Sequence, residues 1–162
     1  MKAAEQKTNV MRLLEQKKIK YIPHEYAHGE EAVDGVTVAA ILGQDVEKVF
    51  KTLVARGASK KIYVFDIPVA EELDLKKAAK AVGEKSVAMI HVREITELTG
   101  YVRGGCSPIG MKKQYSTVIH SSCEELDTMM VSAGKIGFQV ELDPKELLKL
   151  TRGITADIIV ED

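Results

Sequence analysis

The residues with most to say about chemistry lie in YVRGGCSPIGMKK, residues 101–113, where Gly104, Gly105, Pro108 and Gly110 fall within seven positions ahead of Lys112 and Lys113. Glycine has no Cβ, takes φ > 0 freely, and lets a backbone N–H approach a ligand oxygen, while proline stiffens a turn. The segment reads as a shaped loop able to hold a polar group against main chain. Amide donors placed where negative charge develops are worth roughly 3 kcal/mol of a barrier. The same residues used as a plain tight turn would serve geometry alone.

Lys51 is the second residue of this kind, a single cation in the apolar run VFKTLVA at residues 49–55. In a strand Val49, Lys51 and Leu53 share one face and Phe50, Thr52 and Val54 the other. Burying an ammonium alone is costly, so Lys51 must snorkel at a sheet rim, pair with an acid, or line a polar cavity. Cys106 invites a cysteine hydrolase, with His24, His28, His91 or His120 as base. A thiolate nucleophile needs a positioned base and a depressed pKa, and the spacing supplies neither.

No metal or cofactor is implied. Cys106 and Cys123 are the only cysteines; they lack the paired spacing of a zinc site and are too few for a disulfide framework, so reduced thiols are expected. His24 and His28 alone make half a metal site. GGCSPIG has neither the spacing nor the following helix of a dinucleotide fingerprint, and no phosphate-binding P-loop is present.

The elements that must position these residues follow from periodicity and caps. Apolar residues at helical spacing give an amphipathic helix over residues 2–17. Residues 19–26 form a strand that Pro23 confines to an edge. A short helix over 38–42 stops at Gly43, and Asp45 caps a turn before the Lys51 strand. Residues 63–67 pair with that strand across the turn at 57–60. A helix over 73–82 has Asp74 at its start and Gly83 at its end. Further strands cover 87–91, 117–120, 129–132 and 137–142. Asp143, Pro144 and Glu146 begin a helix reaching about residue 150, and a strand over 157–160 closes the chain. Strands and helices mix without βαβ alternation, which favours α+β over a doubly wound sheet.

The whole, residues 1–162, is long enough for one domain with a real core. With 23 basic and 24 acidic residues the net charge is −1, which excludes a general nucleic-acid-coating protein but leaves room for a local basic face. The lysines at 17, 18 and 20 and at 76, 77 and 80 read as solvated helix faces, whereas Lys112 and Lys113 adjoin the glycine loop. The N-terminal MKAAEQKTNVMRLLEQKK is polar, and no apolar run is long enough to span a bilayer, so no membrane association and a cytoplasmic location are expected.

Four segments, KIKYIPHEYAH, VFKTLVA, GGCSPIGMKK and VSAGKIGFQVEL, in this order and covering nearly the whole chain, resemble the YbaK/EbsC family of free-standing aminoacyl-tRNA deacylases, related to the editing domain inserted in bacterial prolyl-tRNA synthetases. The resemblance implies a mixed, partly barrel-like sheet flanked by helices. It implies that Lys51 is the essential active-site lysine and that Gly104, Gly105, Ser107 and Pro108 line the pocket. Tyr26, Ser132 and Gly134 match further pocket positions, and Cys106, often aliphatic in the family, is a small apolar filler. Where relatives carry an aspartate after the GKxG segment this chain has Gln139, so the pocket loses a charge that bears on which amino acid is released.

The activity implied is removal of a wrongly attached amino acid from tRNA, foremost cysteine from proline tRNA, with alanine and serine as the other candidates. The mechanism implied is substrate-assisted: the cysteine thiol attacks its own ester, Lys51 positions the terminal adenosine and its phosphate, and loop amides hold the aminoacyl group. The partners implied are a mischarged aminoacyl-tRNA and, as a candidate, prolyl-tRNA synthetase. A binding module that recognises a tRNA end or another nucleotide without turnover is the alternative from another class.

Overall fold

The apolar run around Lys51 sets the first pairing. Phe50–Gly57 (β2) and Ile62–Pro68 (β3) are antiparallel, with Lys51 opposite Ile67 and Thr52 opposite Asp66. In the computed structural model, which describes residues 7–26 and 34–161, this hairpin is the centre of a five-stranded sheet in the order β4-β2-β3-β5-β8. Ser116–His120 (β5) joins β3 in parallel and Ile154–Ala156 (β8) joins β5 in parallel. Val87–Met89 (β4) pairs with β2 only at residues 55–57, so residues 50–53 keep an edge without a strand partner.

A second sheet of three antiparallel strands, in the order β1-β7-β6, is built from Ile22–Glu25 (β1), Met129–Ser132 (β6) and Phe138–Leu142 (β7). Pro23 does lie on an edge strand. The two sheets meet where Val49 bridges Met130 in parallel. The expected partly barrel-like sheet is thus realised as two sheets joined at a corner, and no barrel closes.

Helix ends fall where the caps put them. The first helix, Asn9–Gln16 (α1), starts at Thr8, whose side chain accepts from the Met11 N–H; residues 2–6 of the expected helix lie outside the described residues. Asp34, Asp74 and Asp143 cap Gly35–Leu42 (α2), Leu75–Val82 (α3) and Pro144–Thr151 (α5), each by accepting a first-turn N–H. Gly43 and Gly83 end the first two of these in the left-handed conformation. Ile95–Thr99 (α4) is too short for its periodicity to show in the sequence. The strand expected over 87–91 ends at Met89, because the Glu94 side chain takes the His91 N–H and starts a tight helical turn there.

The last strand is three residues earlier than expected. The β-branched pair Ile154 and Thr155 carries it, while Asp157 turns out to meet Lys77 and only Ile159 bridges, to Leu73. One core lies between α1, the three-stranded sheet and the glycine loop, around Leu14, Phe50, Ile109, Met129 and Leu142. A second packs Ala78 and Ala79 of α3 on Phe65 and Ile67. No helix among the described residues is long and apolar enough to cross a membrane.

Candidate active site

The unpaired edge of β2 forms one wall of an open cleft of about 1140 Å³. The glycine loop and the turn after β6 form the facing wall, and the start of α2 lies at the mouth. Lys51, Gly104, Cys106, Tyr26, Ser132 and Gln139 all line it, together with Thr52, Arg103 and the apolar Val49, Phe50 and Ile136. The structure therefore brings together six of the expected residues from four stretches of the sequence, at 26, 51, 104–106 and 132–139.

Lys51 is half-buried, and loss of water pushes its ammonium below the usual lysine range, an effect that Glu72 and Glu71 partly offset. It forms no ion pair among the described residues, so its charge is directed at the cleft and not at a structural acid. The Gly104 backbone has φ 86° and is exposed at the cleft wall. The N–H groups of Gly104 and Cys106 make no hydrogen bond among the described residues, which leaves both as donors for an incoming oxygen.

Four expected positions lie elsewhere. Gly105 is buried behind the wall, its N–H donates to the Val102 carbonyl, and a Cβ there would come within 3.0 Å of the Ile136 nitrogen. Its smallness serves close approach of two loops rather than of a ligand. Ser107 is fully buried and accepts from the Ile109 N–H, so with buried Pro108 it supports the loop from beneath. Gly134, at φ 91°, donates its N–H to Ser132 Oγ at 3.1 Å, and a Cβ on it would press on the Tyr101 ring rather than on the cleft.

Cys106 sits in the cleft wall, and burial pushes its thiol up to about 12. A thiol that stays protonated at neutral pH is a poor nucleophile. None of the described histidines lines the cleft: His24 bonds Glu141 Oε1 at 2.8 Å and His120 accepts from the Ile158 N–H. His28 lies outside the described residues. Gln139 pairs with Ser132 across β6 and β7, and its side-chain oxygen is buried without a hydrogen-bond partner.

An aminoacyl-tRNA editing domain model matches residues 30–150. The chain belongs to the aminoacyl-tRNA editing domain family. A protein of Enterococcus faecalis named "Putative Cys-tRNA(Pro)/Cys-tRNA(Cys) deacylase EbsC" is 45% identical over 161 residues, covering 99% of this chain and 98% of its own. In fold, the chain is similar to a solved "putative trans-editing enzyme for prolyl tRNA synthetase", with TM-score 0.80 and 24% identity over 96% of this chain and 99% of that one. It is also similar to the hypothetical protein APE2540, with TM-score 0.84 and 21% identity over 94% and 100% of the two chains. Arg103 and Thr52, which line the cleft, and Asp66, to which Thr52 bonds, are residues that sequence reasoning passed over. Asp66 carried the same signal as Lys51, a lone charge in an apolar strand, YVFDIP.

Proposed function

We propose that this editing-family protein acts in trans as an aminoacyl-tRNA deacylase that releases cysteine from mischarged proline tRNA. The observation that carries the reading is one cleft lined by the partly desolvated Lys51 and by Gly104 and Cys106, whose N–H groups are unbonded among the described residues, in a chain 45% identical to a relative bearing that name. The ammonium suits a phosphate or ribose oxygen of the terminal adenosine. The two amides suit the ester carbonyl oxygen, whose charge grows as the carbonyl is attacked. With the Cys106 thiol held protonated, the nucleophile comes from the substrate: its own side-chain thiol, placed by the cleft next to the ester. Ser132 and the unpartnered Gln139 oxygen face the aminoacyl side chain and ammonium.

Release of labelled amino acid from tRNAs charged with cysteine, alanine, serine and a thiol-free cysteine analogue tests this. Rapid release of cysteine and slow release of the analogue is the expected result. Protection of every ester would instead establish the binding-module alternative, and equal release of cysteine and analogue would replace the substrate thiol by water. Release that rises only when prolyl-tRNA synthetase is added would make the synthetase a working partner.

A further inference from the structure

Asp66 is a carboxyl group with no structural reason to be where it is. It lies on β3 fully buried, and the strand register sets it between Thr52 of β2 and Ile119 of β5, on the face that carries the first core. Thr52 donates its hydroxyl hydrogen to Asp66 Oδ1 at 2.5 Å, and Asp66 Oδ2 has no partner. The titratable groups facing it are the thiols of Cys106 in the glycine loop and Cys123 after β5, and no cation among the described residues acts on it. A half-satisfied buried acid is a net cost to the fold. Thr52, in contrast, is only partly buried and lines the cleft. The residue that bonds the buried acid therefore also borders the site.

We propose that Thr52 and Asp66 form a proton relay that carries the nucleophile's proton out of the cleft. This inference rests on the deacylase reading. The substrate thiol gives its proton to Thr52 Oγ while the Thr52 hydrogen passes to Asp66 Oδ1. The sulfur bonds to the ester carbonyl carbon, the bond from that carbon to the ribose oxygen breaks, and the proton returns by the same path to the departing oxygen. The tRNA leaves with a free hydroxyl, the amino acid leaves as its cyclic thioester, and nothing is oxidised or reduced. Burial pushes Asp66 up to about 7, and a base poised near the working pH is the most effective one. Asp66 acts through Thr52 and is a positioning residue.

Single-turnover release of cysteine from cysteinyl-tRNA between pH 5 and 9, with thermal unfolding over the same range, tests the relay on the wild type, Asp66→Asn, Thr52→Val and Thr52→Ser. The wild-type rate should climb through a limb near pH 7. Asp66→Asn and Thr52→Val should lose that limb and about 100-fold in rate, and Thr52→Ser should recover the limb. The folded acid keeps its proton to about 7 whereas its ordinary value is 3.8, so wild-type stability falls as pH rises between those values. Asp66→Asn should lack that fall and melt no lower than the wild type at pH 8, which a merely structural acid lost from the core would not do while also removing the kinetic limb. A wild-type profile in Asp66→Asn overturns the relay. Should Asp66→Asn not fold, a limb that survives in Thr52→Val overturns it equally. A wild type that releases no amino acid from any charged tRNA sinks the deacylase reading and the relay together, whereas an active wild type with an unaltered Asp66→Asn sinks the relay alone.

Discussion

Lys51 occupies its position at a cost, because its ammonium is partly stripped of water and only distant acids offset the loss. That cost is informative, since a residue kept for packing would not carry it. Lys51→Ala should therefore abolish release of the amino acid, at least 100-fold, while leaving the unfolding midpoint unchanged or slightly raised. Turnover close to wild type in the alanine variant would remove Lys51 from the site. Lys51→Arg should restore little, because a planar guanidinium does not reproduce a compact ammonium in a cleft shaped around one. The sequence made Lys51 legible because a lone cation in an apolar strand has few places to go. It also argued against a Cys106 nucleophile, because no base stands at a suitable spacing, and burial of the thiol agrees with that.

Two contacts between elements decide how precisely the cleft is held. The first is the seam between the glycine loop and the turn after β6, where Gly105 has room for hydrogen only. Gly105→Ala should push these walls apart and lower stability by about 1–3 kcal/mol along with activity; equal loss in both, measured by denaturant unfolding and single-turnover rates, is the expected outcome. Lost activity with full stability would instead put the methyl in substrate space. The second is Glu141 on β7, whose carboxylate takes Lys48 Nζ at 2.6 Å, His24 Nε2 at 2.8 Å and the Thr128 hydroxyl at 2.5 Å. Burial opposes its charge but these three partners prevail and hold it down at about 2. A depressed acid contributes stability that is present above its ordinary value of 4.5 and is lost as pH falls towards about 2. Glu141→Gln should flatten that acid limb in a melting-temperature profile, and an unchanged limb would show the clasp to be inert. Hairpin, caps and edge strand were legible because each is a local signal. The clasp and the Gly105 seam were not, because each joins residues brought together only when distant segments dock, whereas Thr52 and Asp66 meet across the expected hairpin and it was their burial and the hydrogen bond between them that the sequence did not show.

At the scale of the whole molecule, charge and the proposed substrate are mismatched, since on the deacylase reading a chain of net charge −1 must engage a polyanion. The fold resolves this locally. Of the charged residues lining the cleft, Asp34 is committed to capping α2, while Lys51 and the exposed Arg103 have no ion-pair partner among the described residues. Lys77, by contrast, is engaged with Asp157 at 3.1 Å and with Glu161 at 3.6 Å, which takes one lysine of the 76–80 group out of play. Two free cleft cations neutralising phosphates of a single-stranded tRNA end predict a shallow dependence of affinity on salt, about −0.7 in the log–log slope for each phosphate and so about −1.4 in all. Binding of an uncharged proline tRNA, titrated by fluorescence between 50 and 300 mM salt, roughly the range in which such slopes are read, measures it. Arg103→Ala should reduce the slope by about 0.7 and weaken binding without altering the single-turnover rate at saturation. A slope several times steeper in the wild type would mean that the tRNA body is gripped by lysines outside the cleft, with those at 17, 18 and 20 the first to replace, and that the end of the tRNA is not the main source of affinity.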